Sequence, residues 1–161
     1  PRRGYIFENQ IKKVCEYVEA IGGHAHKNHA ERLQDGTYIK GEPFDYEIFL
    51  PNYKAVFDAK ECKNTTSFPL SNIEEHQILH IKRILNHGGI VFLIIFMNNK
   101  FYLLKGSTLI NFINSNERKS IPFDVINEYA YIIKEGFIPR LDYLSVVEKV
   151  YLKEGENEIS K

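Results

Sequence analysis

The chain has 161 residues, 43% hydrophobic and 13% aromatic, and its 21 Lys and Arg balance 21 Asp and Glu to a formal net charge of zero. At roughly 100–200 residues per domain this predicts one folded domain and excludes global disorder. The longest apolar run, Gly89 to Met97, is too short for a bilayer span of ~20 residues, and neutrality argues against a protein that binds nucleic acid by bulk positive charge.

The opening Pro1-Arg2-Arg3-Gly4-Tyr5 is polar and shows no signal-peptide pattern. It also lacks an initiator Met, so a few residues are expected upstream. The two cysteines, Cys15 and Cys62, make no disulfide framework and point to the reducing cytosol. From Gly4 to Ile21, Ile6, Phe7, Ile11, Val14, Cys15, Val18 and Ile21 fall at helical spacing, and Gly22-Gly23 ends the pattern. His24 to Gly41 is polar and predicts a loop or a ragged strand. Phe44 to Leu50 and Ala55 to Glu61 predict a hairpin turning at Pro51-Asn52. Asn64 to Pro69 predicts a polar loop.

Ser71, with Glu74 three positions on, predicts a capping box for a helix to Asn86, stopped by His87-Gly88-Gly89. Ile90 to Phe96 is a continuous β-branched run, as in a strand buried on both faces. Asn98-Asn99-Lys100 predicts a turn into a strand over Lys100 to Leu104. Helices are expected over Thr108 to Asn114, Pro122 to Tyr129 and Tyr143 to Tyr151. This order predicts an α/β domain, a mixed central sheet flanked by helices, over residues 1–153, with a flexible acidic tail over residues 154–161.

The chemistry lies in Pro43-Phe44-Asp45-Tyr46 and Val56-Phe57-Asp58-Ala59-Lys60. Asp58 and Lys60 are two apart on a strand and so share a face, and the hairpin brings Asp45 beside Asp58. Two carboxylates suit a hard divalent cation that keeps several waters. Such an ion acidifies water and offsets charge in phosphoryl transfer, and Lys60 can orient the attacking water or stabilise the phosphorane. Alone, the Asp/Lys alternation is more often a solvated face with a weak ion pair, and it is Asp45 in its Pro-Phe-Asp context, thirteen positions earlier, that brings the functional reading level. Glu8 on the first helix can reach the same ion or stand exposed. Gln77 can hold a water or a phosphate oxygen, or lie on the surface.

His24, His26 and His29 are closely spaced, but no fourth ligand stands at zinc-site spacing. A polar loop touching DNA phosphates fits them better. His76 and His80 lack the zincin pattern, Cys62 has no evident His partner, and no Walker or nucleophile-elbow motif occurs.

The segments Phe44-Asp45-Tyr46, Phe57-Asp58-Ala59-Lys60-Glu61-Cys62-Lys63-Asn64-Thr65-Thr66-Ser67-Phe68-Pro69-Leu70 and His76-Gln77 resemble the RecU family of Holliday junction resolvases. The likeness continues through Gly89–Ile95, Arg118–Ile121 and Gly136–Ser145, covering most of Phe44 to Leu152. It implies a restriction-endonuclease-like core and a homodimer acting on branched DNA in a bacterial or phage-infected cytoplasm. It further implies Mg²⁺-dependent, symmetric cutting of a four-way junction, with Mn²⁺ as a substitute. Asp45 and Asp58 would be metal ligands, Lys60 the catalytic lysine, Gln77 a supporting residue and Glu8 an auxiliary carboxylate. Arg3, Lys27, Arg32 and Lys63 are available for phosphates. Ser67, Arg118, Lys119 and Arg140, in the resembling segments, complete the expected DNA contacts.

This sequence departs from the family pattern in three ways. Asp58 replaces a Glu one methylene longer, and Phe44 replaces a Thr. The segment Gly22 to Pro43 is short where cellular members carry a stalk that enters the junction centre. The alternatives are a nuclease of the same fold acting on flaps, nicked or linear duplex, or a non-catalytic DNA-binding module. Neutrality is itself uneven: residues 1–40 hold seven Lys/Arg against five Asp/Glu, and residues 41–99 five against seven. Metal would offset the acid at Asp45 and Asp58, so binding is expected to be salt-dependent and to need a dimer.

Overall fold

Helix α1 (Arg3–Ala20) lays Ile11, Val14 and Val18, spaced by three and four residues, fully buried against a sheet. It belongs to a computed structural model that describes residues 3–20, 23–27, 44–50, 53–135 and 142–153, the side chains of residues 3–8 and 153 excepted. At Gly23 the chain turns close beneath the next strands. A Cβ there would lie 2.7 Å from Leu50 Cδ2 and 2.8 Å from the Phe49 carbonyl oxygen, so only glycine fits without a shift.

The sheet runs through β1 (His24–Lys27), β2 (Tyr46–Leu50) and β3 (Tyr53–Glu61), all antiparallel neighbours. After β4 (Ser67–Pro69), helix α2 (Glu75–Asn86) carries the chain back to β5 (Ile90–Met97), which lies parallel to β3. β6 (Lys100–Lys105), α3 (Gly106–Ser115), β7 (Ser120–Pro122), α4 (Phe123–Tyr129) and β8 (Tyr131–Ile133) follow, then α5 (Tyr143–Val147) and a π-helical turn over Glu148–Lys153. The six-stranded order is β1-β2-β3-β5-β6-β8, an α/β fold with a mixed sheet.

Helices cover both faces of the sheet. On one side α1 and α5 pack over Tyr46, Ile48, Phe57, Phe92, Ile94 and Leu103. The rings of Tyr46, Phe57 and Phe92 stack across three strands at 5.0 and 4.9 Å, nearly parallel. On the other side α2, α3 and α4 pack Ile81, Leu109 and Ile126 against Val91, Leu93, Ile95 and Leu104. β5 is buried on both faces, which is why its sequence is apolar without alternation. The β5–β6 connection places Asn98 and Asn99 at φ 51° and 60°, the left-handed pair of a tight hairpin turn that Asn tolerates.

Several expectations need correction. The loop expected over Asn64–Pro69 ends in β4, which pairs with β7 as a separate two-stranded ladder, Phe68 opposite Ile121. Burial of those two side chains drives a pairing too short to show a period. Ser71 does not cap α2. It sits in a 3-10 turn over Leu70–Asn72, and Glu74 is the N-cap, its carboxylate taking the Gln77 N–H while the Gln77 side chain takes the Glu74 N–H. The last helix ends after Val147 and continues as a π turn. β8 was not anticipated. His24–Lys27 forms a strand, whereas residues 28–43 and the acidic tail over 154–161 lie outside the described residues.

Candidate active site

The β2–β3 register pairs Tyr46 with Phe57, so one step further out Asp45 stands opposite Asp58. Asp58 and Lys60 alternate onto the face that carries α2, backed by Leu93 and Ile95 of β5. Asp58 is only 1% exposed. A buried carboxylate is costly unless paired, and Lys60 Nζ lies 2.7 Å from Asp58 Oδ2.

Gln77, 7% exposed, enters from the first turn of α2. Its Nε2 donates to Asp58 Oδ2 at 2.8 Å, and its Oε1 accepts from Lys60 Nζ at 3.2 Å. The same Oε1 accepts from the Glu74 backbone N–H at 3.2 Å, so the capping box of α2 fixes the amide that ties the pair together. Asp58 Oδ2 is thus doubly satisfied. Oδ1 is equally buried and takes no hydrogen bond from Lys60 or Gln77, which leaves the protonated Asp45 carboxyl as the donor beside Asp58.

Asp45, more open to solvent, adjoins this group. Partial burial, hydrogen bonding to Asp58 and repulsion from its charge push the Asp45 carboxyl up to about 7, against the pull of Lys60 and Lys27. For Asp58, burial works upward, but the hydrogen bonds from Asp45 and Lys60, the Lys60 charge and the Gln77 amide outweigh it and hold it below the ordinary carboxylate range. One carboxylate is therefore kept ionised and its neighbour shares a proton at neutral pH.

These features fit a hard cation. The Oδ1 of Asp58 and the crowded Asp45 carboxyl are oxygen donors that a divalent ion would satisfy together. Among the described residues no group of three or more His, Cys, Asp or Glu gathers, and this carboxylate pair is what the face offers such an ion. Mg²⁺ is commonly held by one or two carboxylates plus water and substrate phosphate.

Of the expected site residues, Asp45, Asp58, Lys60 and Gln77 are brought together. Glu8 and Arg3 lie on α1, but their side chains are outside the description, as are Arg32 and Arg140 altogether. Lys27 is on β1, with Nζ 5.7 Å from the Tyr46 ring centre. Lys63 lines a cavity of about 360 Å³ at the end of β3, with Glu61, Cys62, Asn64, Pro69 and Asn72. Ser67 on β4 stands opposite Pro122 of β7, while exposed Lys119 lies at the other end of that ladder, its carbonyl accepting from the Leu70 N–H at 2.9 Å. Arg118 precedes it, also exposed.

Sequence reasoning missed two organising residues. Glu74 caps α2 and so sets Gln77; the Glu-x-x-Gln spacing was the available signal. Asn64 Oδ1 accepts from the Thr66 N–H and hydroxyl and from the Ser67 N–H, which builds the loop after β3. Cys62 shapes the same loop, its buried thiol donating to the Asn64 and Ser67 carbonyls at 3.3 and 3.5 Å.

A family model, Recombination protein U, matches residues 8–149. The chain is 43% identical over 130 residues to a Holliday junction resolvase RecU of a Geobacillus species, covering 78% of this chain and 65% of that protein. To the RecU of Bacillus subtilis it is 35% identical over 153 residues, 91% of this chain and 74% of the relative. To that of Geobacillus kaustophilus it is 47% identical over 169 residues, with shares of 92% and 84%. The chain thus spans less than two thirds of the first of these relatives and more of the others. A solved structure of Archaeoglobus fulgidus Hjc, a Holliday junction resolvase, superposes with a TM-score of 0.47 at 10% identity, over 78% of this chain and 95% of that one. The chain belongs to the RecU family.

Proposed function

We propose that the chain is a divalent-metal-dependent endodeoxyribonuclease that resolves four-way DNA junctions by paired, symmetric hydrolysis of phosphodiesters. The observation that carries this reading is the Asp45–Asp58 carboxylate pair on one sheet face, with Lys60 Nζ 2.7 Å from Asp58. The relatives' name, Holliday junction resolvase, supplies the substrate class.

In this reading Asp45 and Asp58 hold the metal, with Glu8 as an auxiliary ligand, and Mg²⁺ is the expected ion with Mn²⁺ able to replace it. When bound, the ion supplies an acidified water and offsets charge on the phosphoryl group. Lys60 does the rest of the electrostatic work. Two of its three N–H donors go to Asp58 Oδ2 and Gln77 Oε1, which aims the ammonium at one place. The third N–H is available to orient the attacking water or a non-bridging phosphate oxygen as charge develops there. Gln77 holds Asp58 and Lys60 in register and is not itself consumed. Water adds to phosphorus, one P–O bond breaks, and the departing oxygen takes up a proton.

Cutting two symmetric strands of a junction calls for two sites related by a two-fold axis, so the working form is a homodimer. DNA contacts come from Arg3, Lys27, Arg32, Lys63, Ser67, Arg118, Lys119 and Arg140, and the compartment is the cytoplasm. The test is a substrate panel with Mg²⁺: four-way junction, flap, nicked duplex and linear duplex. Paired symmetric nicks on the four-way junction are expected. Cutting confined to flaps or linear duplex would move the chain to another substrate, and no cutting of any substrate with Mg²⁺ or Mn²⁺ would overturn the nuclease reading.

A further inference from the structure

We infer that the outer wing of the sheet, over β1, β2 and the start of β3, is a DNA-contact strip that receives the strand to one side of the cut. The inference rests on the nuclease reading above and adds residues which that reading does not use.

The registers build three cross-strand rows on the face that carries the carboxylate pair. Asp58 faces Asp45; next comes Val56–Glu47–His26; next comes Lys54–Phe49–His24. The helices of this face pack on β5 and β6, while α1 packs against β1 and β2 from the other side. Among the described residues no helix covers this face of the wing, and His24, His26, Phe49 and Lys54 are exposed, Phe49 by 39%.

The strip is ordered rather than a scatter of side chains. Lys54 Nζ stands 4.5 Å from the Phe49 ring centre. The His24 ring lies 5.6 Å from Phe49 and stacks with His26 at 6.2 Å. Phe49 has no core to serve, because its neighbours Ile48 and Leu50 point to the opposite side and pack there. The two outer rows together hold an ammonium and two imidazoles against one carboxylate, Glu47, which already lies 3.6 Å from His24. Exposed aromatic rings beside cations suit nucleotide bases or sugars with their phosphates, and not an apolar partner. Lys54 is four residues along β3 from Asp58, roughly 13 Å, or about four base-pair steps along a duplex. A strand whose phosphate sits at the carboxylate pair runs directly across this row.

The experiment measures binding of the full chain to a fluorescent four-way junction by anisotropy, with Ca²⁺ in place of Mg²⁺ and across a range of salt. Phe49→Ala is expected to weaken binding about tenfold, and Phe49→Tyr, which keeps the ring, to restore it. Lys54→Glu is expected to lower the slope of log affinity against log salt by about 1. Both variants should bind Mn²⁺ by calorimetry as the unaltered chain does. Lys134→Glu, just past β8 at the opposite edge of the sheet, should leave the slope unchanged. Wild-type affinity and slope in both wing variants would overturn the inference, as would an equal loss in Lys134→Glu. If the chain binds the junction through Phe49 and Lys54 yet cuts nothing, the nuclease reading fails and the strip stands. If it cuts but the wing variants bind normally, the reverse holds.

Discussion

Replacing Gln77 by Ala removes one side chain and disturbs three partners. Asp58 Oδ2 loses the 2.8 Å amide donor, Lys60 loses an acceptor at 3.2 Å, and the Glu74 N–H loses its cap. The lost bond is to a buried ionised carboxylate, and such bonds contribute about 1.5–3 kcal/mol. With ~2 kcal/mol lost in a domain of this size, the melting temperature should fall by about 4–8 °C. The Asp58 pKa should move up toward the ordinary range, because one of the groups holding it down is gone. Partners that orient metal-holding groups are worth about 10–100-fold in metal affinity or activity. Single-turnover junction cleavage with Mg²⁺ should therefore slow by about that factor, while DNA affinity in Ca²⁺ stays within about threefold. A Gln77→Ala protein with wild-type melting and cleavage would refute the claim that this amide organises the pair.

Lys60→Ala leaves a 1% exposed carboxylate without its counter-charge and should cost about 3 kcal/mol in urea unfolding, besides abolishing measurable cleavage. In metal-free protein Asp45 should titrate near 7 by NMR. Its folded pKa lies above its unfolded one, so between about pH 4 and 7 the native state binds the extra proton and stability falls as pH rises; Asp45→Asn should remove that slope. For the same reason Mn²⁺ affinity should climb by up to about tenfold per pH unit below 7 and level off above it, because the ion must displace that proton. Phe57→Ala opens a hole between Tyr46 and Phe92 in the fully buried stack and should cost about 3–5 kcal/mol in the same unfolding assay.

What could be read from sequence follows interaction range. The period of two alone puts Asp58 and Lys60 on one face, and the hairpin alone sets Asp45 opposite; the structure bears out both placements. The Ile90–Met97 strand was legible because burial on both faces leaves an uninterrupted apolar run. β4, β7 and β8 were not: each is three residues long, too short for a period, and exists through pairing with residues 28 or more positions away. The start of α2 was misread because Ser71 is the better cap by type. The 3-10 turn that closes on the Leu70 carbonyl and buries Ile73 delays the helix to Glu75. Gln77 was readable as a holder of water or phosphate or as a surface residue, and its supporting role came from family resemblance; only packing of α2 on the sheet shows that its amide reaches both Asp58 and Lys60. Glu8 remains an expectation, since its side chain lies outside the description.

The central claim is that the Asp45–Asp58 pair holds the ion that cutting requires. It is tested most directly by titrating Mn²⁺ into the unaltered chain and into Asp58→Asn, and assaying the same samples on a four-way junction. Saturable binding with paired symmetric nicks in the first, and loss of both in the second with DNA affinity retained, is the predicted result. Junction cleavage by Asp58→Asn at the rate of the unaltered chain would contradict it.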